Sequence, residues 1–408
     1  MSILKDGVTY LLAEFISKIT PFLVIPYLTR IMGASDYGVV SYYQTVILLI
    51  LIFVSMSQEG AITRYYYKYG KKSLISIVNV CYLYNFLITF FLILFFYVIG
   101  KMDYIILTLI ASFQSLFNVQ LSLRQCQKKA IQYFFLQCIN SFALVFSLIY
   151  FFNYGVLDNL KSWMFSFLFS YFLGFIISYI NFSRNKKENF RVRKIKIMLI
   201  YFLSFGIPLL LHQFSMFAKG QFDKIYIYNY FDSEKLGVYS AGVQLASIVS
   251  VGLMALNKAL LPYYFDFLKN KKIRERKILL FSLVSFCIVP LPPIFFSLIN
   301  DNIYALILGE GFQGVKQYTI IFSAAFMLIL PYLIVVNYLF YHGKVLVISI
   351  ISFFSLLCYL ISLYYFSNIS IYKVPYSILI CNLVQIFLLY LYILGKNLFN
   401  VRVLKCNC

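Results

Sequence analysis

The sequence predicts an all-α polytopic membrane protein with about 12 transmembrane helices in two pseudo-symmetric six-helix lobes around a central cavity. Of its 408 residues, 62% are hydrophobic, and they gather into stretches of roughly 20 residues, the length that crosses a bilayer as a helix. The number of Lys and Arg residues alternates between high and low from one connection to the next. Of the 35, 25 lie in the odd-numbered connections and the termini, 8 in the even-numbered connections and 2 within hydrophobic stretches. Both patterns are typical of a chain that crosses the membrane repeatedly.

The first of the six N-terminal spans begins close to the N-terminus. Because the leading residues run directly into this hydrophobic stretch, we expect no cleavable signal peptide. Each span must be a helix, because backbone groups surrounded by lipid have to form hydrogen bonds within their own segment. Pro21 and Pro26 are expected to bend the first span. The predicted spans are 7–29, 38–60, 74–99, 104–123, 133–152 and 162–182.

The second six spans follow the longest basic connection and repeat the pattern of the first six. The seventh span carries Pro208, and the ninth carries three prolines close together. The predicted spans are 197–218, 238–261, 278–299, 318–341, 345–366 and 372–394.

These spans divide the chain into a six-helix N-terminal lobe (1–183), a basic linker (184–196), a six-helix C-terminal lobe (197–395) and a tail (396–408). The set of connections with 25 basic residues should face the cytoplasm. We therefore expect a multi-pass protein of the bacterial cytoplasmic (inner) membrane with both termini and the linker in the cytoplasm. The net charge of +21 then reflects topology and contact with anionic membrane lipids, not a nucleic-acid partner.

A short internal repeat indicates that the two lobes are related. The segment 37–41 (YGVVS) opens the second span and the segment 236–240 (LGVYS) opens the eighth, each after an acidic residue, Asp36 or Glu234. Six spans per repeat makes the two copies parallel, related by an axis along the membrane normal.

Charged residues within spans are costly and mark candidate sites. In the first span, Glu14 and Lys18 are four residues apart and share one helix face, either as a self-satisfied ion pair or as part of a cavity wall. In the seventh span, His212 is deep enough to act in proton coupling, although a packing role is the commoner use of a lone His. Lys219, Asp223 and Lys224 follow near its outer end, where a solvated pair is the simplest interpretation.

Polar residues also form stripes on two spans. In the fourth span Gln114, Asn118, Ser122 and Gln125 are spaced by three or four residues, with Arg124 beside them. This face either bonds neighbouring helices or lines a wet path suited to sugar hydroxyls. In the eighth span the corresponding polar residues are Ser240, Gln244, Ser247, Asn257 and Lys258.

The sequence contains no recognisable catalytic constellation, metal-ligand cluster or nucleotide motif, so we expect a transporter and not an enzyme, without cofactor or metal. The segment 309–314 (GEGFQG) matches the dinucleotide fingerprint, but the fingerprint requires a preceding strand, and a membrane helix is expected there. Its glycines are interpreted as a turn.

The opening segments 26–33 (PYLTRIMG) and 35–38 (SDYG), together with 236–241 (LGVYSA), resemble the Wzx-type polysaccharide flippases. Those proteins carry a P-x-L-x-R-x-x-G run at the end of the first helix and a Y-G pair after it. The family belongs to the multidrug/oligosaccharidyl-lipid/polysaccharide exporter superfamily. The resemblance implies twelve helices in two lobes and translocation of an undecaprenyl-diphosphate-linked oligosaccharide, such as an O-antigen repeat unit, from the cytoplasmic to the periplasmic leaflet. It also implies a polysaccharide polymerase and a chain-length regulator of the same pathway as partners.

Such a substrate carries a diphosphate and several sugars, so the transporter needs cations and hydroxyl-friendly side chains. Candidates for the diphosphate and sugars are Lys18, Arg30, Arg124, Lys219, Lys224, Gln114, Asn118 and Gln244. Candidates for coupling to a proton or sodium gradient are Glu14, His212 and Asp223, of which we hypothesise Glu14.

Three alternatives remain at this stage. A multidrug antiporter of the same superfamily should have an acidic cavity, and a peptidoglycan-precursor flippase should have fourteen helices. A membrane polymerase or acyltransferase should show a large Arg-rich outer loop or an intramembrane His with a paired acid, and neither feature is found in the sequence.

Overall fold

A computed structural model describes residues 2–70, 74–155, 157–183, 192–270 and 275–406. Within these ranges the chain forms fifteen α-helices and two short 3₁₀ turns. The predicted linker segment 184–191 and the tail residues 407–408 lie outside the described residues. The helices are α1 (Ser2–Ser55), α2 (Gln58–Tyr69), α3 (Leu74–Val98), α4 (Met102–Cys126), α5 (Ala130–Tyr154), α6 (Asn159–Ser183), α7 (Val192–Tyr230), α8 (Ser233–Asn270), α9 (Glu275–Ser285), α10 (Leu291–Leu298), α11 (Asp301–Leu308), α12 (Val315–Met327), α13 (Ile329–Tyr341), α14 (Val345–Ile369) and α15 (Tyr376–Cys406).

The chain separates into two compact units, Met1–Phe217 and Ala218–Cys408, here called unit 1 and unit 2. Unit 1 contains α1 to α6 and the first part of α7. Unit 2 contains the rest of α7 and α8 to α15. The division therefore falls within α7, which continues twelve residues beyond the predicted end of the seventh span at residue 218.

The first half of α1 runs parallel to α5. Near the start of both helices the rings of Tyr10 and Tyr133 make an edge contact with centroids 5.2 Å apart. Near the end of α5, the hydroxyl of Tyr27 donates to Asn153 at 3.4 Å. The N-terminal span thus crosses unit 1 in the same direction as the fifth predicted span.

The second half of α1 and the following α2 run parallel to α4, in the opposite direction. The Tyr43 hydroxyl donates to Asp103 at the start of α4 at 3.1 Å, and Ser122 near the end of α4 donates to the carbonyl of Glu59 at 3.2 Å. The reversal occurs at Gly33, whose φ of 68° and ψ of 179° are open only to a residue without a side chain. Two spans are therefore joined here by a single residue.

Helices α4, α5 and α6 form a layer in which neighbours are fixed by aromatic and polar contacts. Phe113 of α4 packs edge-on against Phe172 of α6 with centroids 5.1 Å apart, and Ser147 of α5 donates to the carbonyl of Ser166 of α6 at 3.2 Å. Helix α4 is parallel to α6, and α5 is antiparallel to both.

Eleven helices in the described ranges are long and apolar enough to cross a membrane. The first of these, Gly7–Tyr69, contains 63 residues and crosses twice because of the reversal at Gly33. The described residues thus supply the twelve crossings that the hydropathy pattern predicts. The all-α polytopic class is confirmed.

Proline residues interrupt one predicted span of unit 2. The predicted ninth span divides into α9, a 3₁₀ turn at Phe286–Ile288 and α10, because Pro290, Pro292 and Pro293 remove backbone donors.

The glycine-rich segment 309–314 connects α11 to α12, so a helix and not a strand precedes it, as expected. The core of unit 2 packs α9, α13, α14 and α15 around residues such as Val335.

Candidate functional site

Asp223 is the most deeply buried of the charged residues predicted as site residues, and it lies in the last two turns of α7. Its side chain is 1% exposed. One carboxylate oxygen, Oδ2, accepts a hydrogen bond from the hydroxyl of Tyr239 on α8, and Oδ1 accepts from the backbone N–H of Lys224 at 2.9 Å. The Asp223 backbone N–H donates to the hydroxyl of Tyr359 on α14 at 3.2 Å. We call Asp223, Tyr239 and Tyr359 the Asp223 cluster.

Aromatic rings exclude water from the Asp223 cluster. The ring of Tyr239 makes edge contacts with Tyr318 and Phe322 of α12 at centroid distances of 5.3 Å and 5.2 Å. Tyr318 in turn stacks on Tyr372 at 5.5 Å. A buried carboxylate loses the stabilisation that water gives it, and here a phenol, a backbone amide and the field of Lys224 offset part of that loss.

Lys219 lies one turn before Asp223 but contacts different residues. Its ammonium donates to Gln385 Oε1 on α15 at 2.5 Å, and Gln385 Nε2 donates to Ser352 Oγ on α14 at 3.1 Å. The side chain of Lys219 is half-buried and that of Gln385 is buried. The simple solvated Lys219–Asp223 pair considered from sequence is therefore replaced by two separate hydrogen-bonded groups within unit 2.

In unit 1 the structure brings two acidic residues and one residue of the predicted stripe together. Glu14 of α1 and Glu59 of α2 both lie within electrostatic range of the Tyr133 hydroxyl on α5. Asn118 of α4 forms a side-chain hydrogen bond with Glu59. Glu14 is half-buried, whereas Lys18, one turn further along α1, is exposed.

The polar stripe of α4 mainly joins helices. Ser122 Oγ is 3.1 Å from the hydroxyl of Thr63 on α2 and also bonds the Glu59 carbonyl, so it holds α4 against α2. Gln114 is half-buried and Gln125 is exposed. Of the two interpretations left open by the sequence, bonding between helices describes Ser122.

Arg124 is buried, with 6% of its surface exposed, although it lies at the end of a span. Its Nη1 donates to the carbonyl oxygen of Gln120 at 2.9 Å and also to that residue's side-chain oxygen, and its Nη2 donates to the carbonyl oxygen of Ser178 on α6 at 2.6 Å. Gln120 also donates to the hydroxyl of Tyr82 on α3. None of these partners carries a negative charge.

Lys224 joins the Asp223 cluster through its backbone N–H and its charge. Arg30 and His212 are exposed, and Lys224 and Gln244 are half-buried. The residues that the sequence did not single out are Tyr239, Tyr359, Gln385 and Gln120. Tyr239 belongs to the repeated segment 236–240, which the sequence did identify. The chain has 37 tyrosines, however, and composition alone could not indicate which of them has a functional role.

Solved structures of membrane transporters have a similar fold. A structure described as the inward-facing conformation of a multidrug resistance MATE family transporter of the MOP superfamily is 14% identical, with a TM-score of 0.66 over 91% of this chain and 94% of that one. A MOP superfamily transporter from Pyrococcus furiosus, reported to have a binding pocket of reverse polarity, is 13% identical, with a TM-score of 0.62 over 97% and 95%. The chain thus shares the fold of these two structures, and eleven of its described helices are long and apolar enough to cross a membrane.

Sequence comparison identifies the particular family. Residues 3–268 match the model of the polysaccharide biosynthesis protein family, and the chain belongs to that family. A protein named for the Lsg locus of Haemophilus influenzae is 40% identical over 96% of this chain and 98% of its own length. An uncharacterized membrane protein of the same organism is 37% identical over 92% and 93%.

Proposed function

We propose that the protein is a flippase that moves an undecaprenyl-diphosphate-linked oligosaccharide, an O-antigen or related repeat unit, from the cytoplasmic to the periplasmic leaflet by alternating access. Membership of the polysaccharide biosynthesis family and the transporter fold support this proposal. The diphosphate and sugars of such a lipid cannot cross hydrocarbon unaided, whereas its polyprenyl chain can remain in lipid. A transporter therefore has to shield only the polar head.

The proposed orientation places both termini in the cytoplasm of a bacterial inner membrane. The uneven distribution of basic residues, 25 against 8 between alternate connections, supports it. In this orientation the substrate is collected on the side where lipid-linked sugars are assembled. Flipping then delivers it to the opposite leaflet.

The Asp223 cluster is the observation that carries the coupling proposal. Among Glu14, His212 and Asp223, only Asp223 is fully buried, and its partners come from three different helices of unit 2. Adding a proton to one carboxylate oxygen creates an O–H donor there, which weakens the hydrogen bond that this oxygen accepts, from Tyr239 at Oδ2 or from the Lys224 N–H at Oδ1. We propose that this change links uptake of a proton to a conformational step, with Glu14 as the second candidate.

Cationic and amide side chains supply the substrate contacts in this proposal. Lys219 and Lys224 lie close to Asp223 in the chain. An ammonium group can bind a diphosphate as a point charge. Lys18 and Arg30 of α1 are exposed, as a transient phosphate contact requires. Half-buried amides suit sugar hydroxyls, and these are Gln114, Asn118 and Gln244.

Reconstitution in liposomes tests both the proposed flippase activity and its proposed coupling to protons through Asp223. A lipid-diphosphate-linked oligosaccharide is loaded in one leaflet, and a sugar-oxidising enzyme outside reports its arrival. We expect arrival that an imposed proton gradient accelerates in the wild type and in Asp232→Asn, but not in Asp223→Asn. Asp232 is a matched control because it is also an aspartate of unit 2 but is exposed and bonded to Lys235.

Two results would count against the proposal. No protein-dependent arrival of the lipid, together with gradient-driven efflux of a cationic drug, would identify a multidrug antiporter instead. Arrival that responds to the gradient equally in Asp223→Asn and the wild type would retain the flippase and remove Asp223 as its coupling acid.

A further inference from the structure

The buried guanidinium of Arg124 borders a cavity between α4, α5 and α6 of unit 1. The cavity measures about 340 Å³, within the range of roughly 300–1,000 Å³ that is usual for small-ligand sites. Its polar end is formed by Arg124, Lys129, Gln127 and Gln132. Two of the described residues that line it are basic and none is acidic.

Arg124 retains hydrogen-bonding capacity that its protein partners do not use. A guanidinium has five N–H donors, and the two Gln120 oxygens and the Ser178 carbonyl account for three of them. Within the part of the chain that the structure describes, the other two have no partner. Paired N–H groups of a guanidinium match two oxygens of one phosphate, which is the geometry that favours Arg at such sites.

The start of α5 adds a second attraction for an anion. Lys129 is the N-cap of this 25-residue helix, and its side chain does not bond the first-turn backbone N–H groups. These N–H groups have no partner within the helix, and the helix dipole places partial positive charge at the same end. Gln132 in this first turn lines the cavity together with Lys129.

The other walls of the cavity are apolar and open toward lipid. Phe135 and Ile139 of α5 and Ile177 of α6 line it. Phe135 is 59% exposed, and Ile131, one turn earlier on α5, is exposed to the same extent. A cationic end joined to an apolar, lipid-facing side fits an anion that is attached to a hydrocarbon chain.

We propose that this cavity binds the phosphate group of a membrane lipid, with the guanidinium of Arg124 and the ammonium of Lys129 on the phosphate oxygens and the lipid chain along Phe135. The site belongs to unit 1 alone and does not depend on the proposed flippase activity or on the Asp223 cluster.

The test measures lipid binding to the purified, delipidated full-length protein by native mass spectrometry in a neutral detergent. Dioleoyl phosphatidylglycerol is titrated against dioleoylglycerol, which has the same chains and no phosphate. Lys129→Gln removes one cation of the cavity. Lys128→Gln is the matched control, since Lys128 precedes it in the same turn, is also exposed and does not line the cavity.

We expect phosphatidylglycerol to bind more tightly than dioleoylglycerol, and Lys129→Gln to weaken it about fivefold, the usual effect of one basic residue at an anionic lipid surface. Lys128→Gln should change it less than twofold. Arg124→Lys, which keeps the charge and loses the planar fork, should also weaken binding while the protein stays folded by thermal denaturation.

Competition identifies the source of the phosphate. Displacement of phosphatidylglycerol by polyprenyl diphosphate at lower concentration would assign the site to a carrier lipid, and displacement by inorganic phosphate alone would assign it to a free anion. Resistance to both assigns it to the bulk phospholipid. Equal binding of phosphatidylglycerol and dioleoylglycerol, or equal losses in Lys128→Gln and Lys129→Gln, would overturn the proposal.

Discussion

Gly242 of α8 lies directly against α12, and replacing it with Ala should disturb both packing and the Asp223 cluster. A Cβ at this position would lie 2.6 Å from the Cβ of Tyr318 and 3.2 Å from the carbonyl oxygen of Val315. Ordinary contact needs 3.4–4 Å, so the two helices would have to separate by about 1 Å. Tyr318 packs against Tyr239, so the separation would also reach the phenol that bonds Asp223.

The expected magnitude follows from two opposing effects. Overpacking of this kind costs roughly 1–3 kcal/mol, whereas Ala in place of Gly within a helix gains about 1 kcal/mol. Gly252 on the same helix has no atom within 4 Å of a Cβ, so Gly252→Ala should show only the gain. The two variants should therefore differ in stability by about 1–3 kcal/mol.

Thermal denaturation in detergent measures this difference. We expect the Tm of Gly242→Ala to lie roughly 1–4 °C below that of Gly252→Ala. Liposome transport should fall for Gly242→Ala and remain near the wild-type rate for Gly252→Ala. A Tm for Gly242→Ala equal to or above that of Gly252→Ala would refute the close approach of α8 and α12 and its link to Tyr318.

Three further predictions concern polar groups. Tyr239→Phe keeps the ring and removes one hydrogen bond to the Asp223 carboxylate, so gradient-driven transport should fall about tenfold, equivalent to about 1.4 kcal/mol; an unchanged rate would contradict the role of that bond. Gln58→Leu removes a buried amide that joins α2 to both α3 and α4, and should lower the free energy of unfolding by about 1–3 kcal/mol in urea titration; no change would show that the bonds are dispensable. Partial burial raises the pKa of the Asp232 carboxyl, but the backbone N–H, hydrogen bond and charge of Lys235 outweigh it and hold that pKa below its ordinary 3.8. The resulting stabilisation is present above pH 3.8 and is lost as the pH falls through the lower pKa of the folded state. Asp232→Asn should therefore lower the free energy of unfolding by less than about 1 kcal/mol at neutral pH and leave it unchanged in strong acid. A larger loss of stability in acid than at neutral pH would contradict this direction of the pKa shift.

Hydropathy was sufficient to predict the apolar spans, because a span in lipid has no alternative to internal hydrogen bonding. Helix α3 begins at Leu74, as predicted, and ends one residue before the predicted boundary. Hydropathy underestimates the length of a helix whose end is polar. Hydropathy falls at Lys219, Asp223 and Lys224, so the seventh span was ended at residue 218, yet α7 continues to Tyr230.

The sites were less predictable because hydropathy describes a residue and not its neighbours. Asp223 is identifiable from sequence as an acid near a span, but its burial results from Tyr239 and Tyr359, which lie 16 and 136 residues away along the chain. Arg124 was identified as a cation, whereas the cavity beside it depends on the packing of three helices. Spacing within one helix contains none of this information.

The single-residue reversal at Gly33 affects how the chain enters the membrane. Most adjacent spans are separated by a polar loop, so the first can move into lipid before the second has left the insertion machinery. Here helical structure resumes at Ala34, so the connection between the two spans is one tight turn with Arg30 before it and Asp36 after it. A connection this short favours entry of the first two spans into lipid together, as a hairpin. Their shared orientation is then decided by the basic residues that flank the pair, including Arg64 and Lys68, once the ribosome has completed both.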